Sequence, residues 1–322
     1  MQLRLLLGWC NRKRVLRGMW AAGVGGMGTM FLFILTLHTA LLLPLYCESE
    51  CTMMQWRDPG SPENRQVIRH LQANVLEAAQ RSVVEPVTPI DLYDPPWMKI
   101  ERWLAVESAI RQTMGQKRRG VFVEVGAGAG VFKSHTSWLE TSRGWTGLLI
   151  EPRPDAYAQL RRRRKAVGAR ACVSDYGYNK KEVLWMPSGT EELPEFYREI
   201  ALSRSTLMTY VANEDRLGSL RLEVQCFTLN ALIIAAMGFQ RPIDFLMLDT
   251  SGGEWRILET LEQLNVKSLM VKFNTDVDKT FIKETTERLK LRHYPSKLLS
   301  RNHFMFFLSE NTDLNMTQWQ EG

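Results

Sequence analysis

The sequence predicts an α/β chain. Its core would be a mostly parallel, doubly wound sheet with helices between the strands, closed by C-terminal antiparallel strands and preceded by one membrane-spanning helix. Three observations carry this reading. From Gly120 onward, apolar runs of strand length alternate with stretches of helical periodicity. Gly126, Gly128 and Gly130 follow the first apolar run, where a strand would turn sharply into a helix. Near the N-terminus, the run from Gly18 to Cys47 carries no charged side chain and exceeds the roughly 20 residues that cross a bilayer.

The N-terminal segments set the topology. Arg4, Arg12, Lys13, Arg14 and Arg17 hold most of the net charge of +6 and leave the rest of the 322 residues close to neutral. The basicity therefore belongs to a tail and not to a nucleic-acid-binding face. A cleaved signal peptide has an apolar region of about 7–15 residues, shorter than the run here, so an uncleaved signal-anchor is expected. Basic residues precede it and Glu48 and Glu50 follow it. The positive-inside rule then puts the N-terminus in the cytosol and the bulk of the chain in the lumen of the secretory pathway (endoplasmic reticulum, Golgi or endosome) or outside the cell. Small residues Ala21, Ala22, Gly25 and Gly26 would let two such helices approach as a homodimer. Cys10 would lie on the cytosolic side near the membrane, where acylation can occur.

The expected divisions are a cytosolic tail (1–18), the anchor (19–46), a luminal stem with one helix (47–95) and the main domain (96–322). Cys47 and Cys51 fall just past the anchor in an oxidising compartment and could pair with each other or join two chains. Cys172 and Cys226 fall on strands and read as plain buried thiols. No metal-ligand spacing occurs. Asn315-Met316-Thr317 is a glycosylation sequon, in keeping with a luminal C-terminus.

In chain order, Ser61 and Pro62 open the stem helix, with Val67, Leu71, Val75 and Leu76 at helical spacing. A proline-rich linker from Val84 to Pro96 follows. A helix over about 96–113 comes next, with Trp97, Ile100, Trp103, Leu104 and Ile110 on one face. Strands are expected at 121–125, 146–150, 170–173, 243–248 and 267–272. An extra strand–helix–strand segment lies over 182–227, and two strands joined by a turn lie near the end. This is the outline of a class I S-adenosylmethionine-dependent methyltransferase, a Rossmann-like fold. The run Arg161–Lys165 reads as a solvated helix face. It lacks the interleaved aromatics that stack bases, so nucleic acid is not expected as a partner.

The chemistry concentrates at the strand ends. Val121-Phe122-Val123 leads into Glu124 and then into Gly126-x-Gly128-x-Gly130. The next strand ends on Glu151, where an acid can accept hydrogen bonds from both hydroxyls of a ribose. The leading acid and the glycine spacing differ from the dinucleotide pattern, whose helix amides receive a pyrophosphate. They suit a ligand with a cationic amino-acid end, such as S-adenosylmethionine.

Over residues 118–308 the chain resembles the FkbM-type methyltransferase domain family. The run SWLETSRGWTGLLIEPRPDAYAQL is similar to the branch that contains the insect membrane protein Star. The segments Cys226–Asn230, Ile243–Asp249 and Glu254–Leu258 resemble the approach to the fourth strand, that strand with its terminal acid, and the helix behind it. The resemblance implies that Glu124, Gly126, Gly128 and Gly130 line the methionine end of the cofactor and that Glu151 holds the ribose. Ser174 and Asp175 would lie near the adenine, and Asp249 would face the transferred methyl group or the substrate. His135 would be either a proton acceptor beside that group or a helix N-terminal residue bonded to the backbone.

The chain departs from the family pattern at Ala129, Ser134-His135-Thr136, Ser251-Gly252 and Lys272. Each change removes a carboxylate or amide, or adds a cation, where a sulfonium would sit. Two functions follow as expectations. One is a Star-like factor that helps a membrane-protein client through the secretory pathway on a retired methyltransferase fold. The other is an active O-methyltransferase acting on a luminal hydroxyl, such as that of a glycan.

Overall fold

The structure is a computed structural model. It describes residues 65–83, 85, 100–114, 116–132, 134–216, 219–238, 241–260, 265–272, 296–300 and 303–307. These lie in one compact unit that spans Pro59–Gly322. The basic tail, the apolar anchor, Cys10, Cys47, Cys51, Trp97 and the sequon at Asn315 lie outside the described residues, which contain no helix long and apolar enough to cross a membrane.

Helix α1 (Arg65–His70) runs into a π-helical turn (Leu71–Val75) and strand β1 (Leu76–Glu77). Helix α2 (Ile100–Met114) and strand β2 (Val121–Val125) follow, then α3 (Ser137–Arg143), β3 (Thr146–Ile150), α4 (Pro154–Arg163) and β4 (Val167–Ala169). The chain continues through β5 (Cys172–Val173), β6 (Lys180–Met186), α5 (Glu195–Leu202), β7 (Thr206–Leu207) and β8 (Leu220–Phe227). It ends with α6 (Leu229–Met237), β9 (Phe245–Leu248), α7 (Glu254–Glu259), β10 (Ser268–Lys272), β11 (Ser296–Ser300) and β12 (His303–Phe307).

The main sheet has the order β1-β4-β3-β2-β9-β10-β12-β11. The five strands β4, β3, β2, β9 and β10 are parallel, and β12 pairs antiparallel with β10 and with β11. This is the expected parallel core closed by a C-terminal hairpin. Every residue of β2 is buried, as a central strand covered on both faces requires. Phe122, Leu149, Phe245, Met247 and Met270 pack with Val106, Ile110 and Met114 of α2, Trp138 and Leu139 of α3, and Tyr157 and Leu160 of α4. Local signals set the helix ends. Gly144 closes α3 in a left-handed conformation, its N–H bonded to the Leu139 carbonyl. Pro154 opens α4, and the Thr228 hydroxyl caps α6.

Several expectations change. The third strand, expected at 170–173, is two pieces: β4 ends at Ala169 in the main sheet, and β5 belongs to a second sheet ordered β5-β8-β6-β7. The stem expected to run to residue 95 contributes to the domain, because β1 pairs with β4 and Gln72 donates to the Ala235 carbonyl at 3.1 Å. Cys172 and Cys226 are buried, as expected, but they are not free thiols. They face each other across the β5–β8 pair, Cα atoms 4.4 Å apart, and are bonded as a disulfide.

The arginine run is also no uniformly solvated face. Arg162 and Arg163 meet Glu85 near the surface, whereas Arg161 and Arg164 turn inward. Arg161 donates to the carbonyls of Ala166 (2.6 Å) and Ala78 (2.7 Å). Arg164 is fully buried beneath the glycine loop.

Candidate functional site

In a doubly wound sheet the ligand crevice opens at the carboxyl ends of the strands, where the strand order reverses. Here that point is β2, flanked by β3 and β9. A cleft lies there, and Glu124, Gly126, Gly128, Glu151, Asp175 and Asp249 all line it. Gly130, Ser174 and His135 do not. The opposite wall comes from the inserted segment: Leu184 of β6, Glu199 and Leu202 of α5, and Leu207 of β7.

The three loop glycines have positive φ for different reasons. A Cβ on Gly126 (φ +80°) would collide with the Asp249 carbonyl oxygen. One on Gly130 (φ +84°) would come 2.7 Å from Arg164 Cγ. At Gly128 (φ +54°) nothing lies within 4 Å, so that residue leaves room where a ligand would lie.

Glu151 is buried and braced. Its Oε2 accepts the Gly128 N–H (2.8 Å), and its Oε1 accepts the Arg153 N–H (2.9 Å). Burial pushes its pKa above the usual carboxylate range, and Arg153 opposes this. Each oxygen keeps a lone pair for a hydroxyl donor.

Glu124 is tied into the protein. Its Oε2 accepts Ser134 Oγ (2.9 Å) and Thr136 Oγ1, and lies 3.6 Å from Arg164 Nη1. Arg164 in turn donates to the Gly130 carbonyl (2.8 Å), Ser134 Oγ (3.0 Å) and Thr136 Oγ1 (2.9 Å). Burial raises the Glu124 pKa, and Arg164 and the two hydroxyls pull it down. Ser134 and Thr136 thus hold the leading acid to the loop.

At the other end, Lys272 Nζ sits 2.7 Å and 2.6 Å from the two oxygens of Asp249. Both residues line the cleft. The loop that follows is built around glycine. Gly252 and Gly253 have positive φ, and a Cβ on either would press on Tyr210. Tyr210 also donates to Asp175 Oδ2, and Asp175 Oδ1 lies 2.5 Å from Lys180 Nζ. Ser174 fixes the neighbouring turn, donating to the Tyr178 carbonyl (2.7 Å) and accepting the Tyr176 N–H (3.2 Å).

His135 is buried, with Nδ1 3.1 Å from Glu107 Oε2 on α2. It links α2 to the segment before α3 and does not reach the cleft, so the expectation of a proton acceptor there gives way to a packing role. Sequence reading passed over Arg153, Glu199 and the insert wall. For Glu199 and the wall the signal was the extra segment itself, an insertion between the third and fourth strands; nothing in the sequence marks Arg153.

The model of the methyltransferase FkbM domain matches residues 124–296, more than half of the chain. The chain belongs to the methyltransferase FkbM domain family. The match runs from the leading acid Glu124 to the first residue of β11, so the cleft lies inside it. No curated protein sequence matches the chain. Among solved structures, human methyltransferase 10 domain containing protein is 12% identical, with 76% of this chain and 96% of that chain covered and a TM-score of 0.32. The human METTL16 catalytic domain in complex with the MAT2A 3′UTR hairpin 1 gives 11%, 80% and 83%, with a TM-score of 0.34. The N-terminal domain of human METTL16 in complex with SAH gives 12%, 78% and 82%, with a TM-score of 0.27. Scores this low add nothing to the assignment, which rests on the family match and the strand order.

The FkbM cleft fits one half of S-adenosylmethionine better than the other. The room over Gly128 and the two braced oxygens of Glu151 suit a nucleoside. At the transfer end, Glu124 answers Arg164 and Asp249 answers Lys272. Bound there, the cofactor would supply an electrophilic methyl group. The residues that would hold its ribose and flank its methionine are Glu151, Gly128, Gly126 and Glu124.

Proposed function

We propose that this chain is a single-pass, type II membrane protein whose luminal FkbM domain acts as a binding scaffold: a Star-like factor that assists membrane-protein clients from the endoplasmic reticulum toward the Golgi and endosomes. The observation that carries the reading is the Lys272–Asp249 pair. Only interactions stronger in the transition state than in the ground state accelerate a methyl transfer. An ammonium holding both oxygens of the terminal acid leaves that acid poorly placed to orient an acceptor hydroxyl, and it repels a sulfonium.

The topology follows from the basic tail and the apolar run. The Cys172–Cys226 bond supports an oxidising compartment, because cytosolic thiols are kept reduced. A luminal site is also cut off from S-adenosylmethionine, which is charged, is made in the cytosol and does not cross a bilayer unaided. The methyltransferase fold then serves as a rigid body carrying a client surface, since folds outlive their first activities.

The test uses the full-length chain in detergent micelles with methyl-labelled S-adenosylmethionine and solubilised secretory-pathway membrane glycoproteins. No label should pass to protein or glycan. Label transfer that disappears in Asp249→Asn would establish the O-methyltransferase reading instead.

A further inference from the structure

We propose that Arg153 is a second ribose-reading residue of the cleft, so that the site takes a nucleoside with an intact, unphosphorylated 2′,3′-diol and rejects its deoxy counterpart. The inference rests on reading the cleft as a nucleoside site and is independent of the trafficking role.

Arg153 leaves β3 two residues after Glu151 and stands at the N-cap of α4, where Pro154 fixes the following backbone. Its side chain is only 5% exposed and lines the same cleft as Glu151. Nε lies 3.7 Å from Glu151 Oε1. Nη1 is buried without a hydrogen bond, and the Asp155 carboxylate near it is 3.8 Å away, beyond hydrogen-bond reach. A buried donor left unmade is costly, and this one belongs to a side chain that lines the cleft, which points to a partner that the ligand brings.

The partner follows from donor and acceptor counting. Ionised Glu151 only accepts and Arg153 only donates. A ribose hydroxyl does both: it can give its hydrogen to Glu151 and receive one from Arg153 on its oxygen. A 2′,3′-diol presents two such groups side by side. A phosphate on either hydroxyl fits poorly, because Glu151 and Asp155 flank this guanidinium at 3.7 and 3.8 Å and Glu199 lines the same cleft. Glu199 comes from α5 in the inserted segment, so part of this selectivity belongs to an element added to the core sheet.

The experiment measures binding of adenosine, 2′-deoxyadenosine and adenosine 3′-phosphate to the full-length chain by titration calorimetry. Adenosine should bind, and 2′-deoxyadenosine should bind about 100-fold more weakly, since a site built to bond a hydroxyl strongly rejects the analogue lacking it. Adenosine 3′-phosphate should also bind more weakly than adenosine. Arg153→Met should weaken adenosine by roughly 10-fold or more and narrow the gap to the deoxynucleoside, as expected for loss of a charged hydrogen bond. Arg153→Lys keeps a charge but not the planar fork, so it should behave similarly and carries the test if the Met variant does not fold. Equal weakening of adenosine and deoxyadenosine, unchanged adenosine affinity, tighter binding of the 3′-phosphate, or no nucleoside binding by the native chain would each overturn the proposal. Methyl transfer, which would sink the scaffold reading, would leave it standing.

Discussion

Lys272 at the end of β10 holds both carboxylate oxygens of Asp249 at the end of β9, and the two neighbouring parallel strands thereby close the transfer end of the cleft with a neutral pair. Replacing the lysine tests what that pair does. Lys272→Met removes the ammonium that neutralises the Asp249 carboxylate beside the cleft. S-adenosylmethionine should then bind more tightly by about 5-fold, or ~1 kcal/mol after allowing for the partial exposure of both groups. S-adenosylhomocysteine, which lacks the sulfonium charge, should change less. Equilibrium dialysis of both ligands reads the difference.

The loop glycines separate a structural requirement from a ligand requirement. Gly126→Ala drives a Cβ into the Asp249 carbonyl at positive φ and should destabilise the fold by about 3 kcal/mol. Gly128→Ala meets no atom and should cost only the left-handed backbone term of about 1 kcal/mol. Gly128→Val should, in addition, fill the space over Glu151 and abolish nucleoside binding. Thermal melting with and without adenosine distinguishes the three.

Arg164 anchors the leading acid from below. Arg164→Met removes the cation from two buried carboxylates, Glu124 and Glu140, and strips donors from Gly130, Ser134 and Thr136. The expected loss is roughly 3–5 kcal/mol, as for breaking a buried ion pair from one side. Pairing it with Glu124→Gln should recover part of that loss, because one uncompensated charge is gone. Chemical denaturation of the two variants checks this.

The disulfide staples β5 to β8 within the second sheet, where Cys172 also lines the cleft. Replacing Cys172 and Cys226 together by alanine should cost about 2–4 kcal/mol relative to the oxidised chain, and reduction should act in the same direction. Alkylation of the chain purified from cells, followed by intact-mass measurement, should find these two residues blocked. Free thiols at both would contradict the luminal assignment.

Glu151 gives binding a pH dependence. Its folded-state pKa is raised by burial, so it takes up a proton above the usual carboxylate range. Ribose hydroxyls donate to the ionised form. Nucleoside affinity should therefore rise with pH through the raised pKa and fall as pH drops toward the ordinary carboxylate value. Glu151→Gln should flatten the profile and lower affinity throughout.

Much of the core could be read from the chain. Strands β2 and β3 appear at the expected residues, because each is a short apolar run bounded by glycine or charge. So do the glycine loop and the acids at 124, 151 and 249. The rest depended on partners distant in sequence. Arg161 and Arg164 look solvated in a run of five cations, yet Glu77 and Ala78, 84 and 83 residues away, draw Arg161 inward. Cys172 finds Cys226 across a gap of 54 residues. The third strand was misplaced because the chain changes sheets at Arg170 and Ala171, and no side-chain period marks such a switch. Arg153 is a single exposed-type residue in the sequence, and its burial beside Glu151 follows only from how α4 docks.

The most direct measurement is rescue in cells that lack this chain. Membrane proteins retained in the endoplasmic reticulum in its absence would first be identified by surface biotinylation. Their export would then be followed after restoring either the native chain or Asp249→Asn. The scaffold account expects both to restore export equally. A folded, correctly localised Asp249→Asn chain that fails to restore export would contradict it and return the transfer chemistry to the centre of the function.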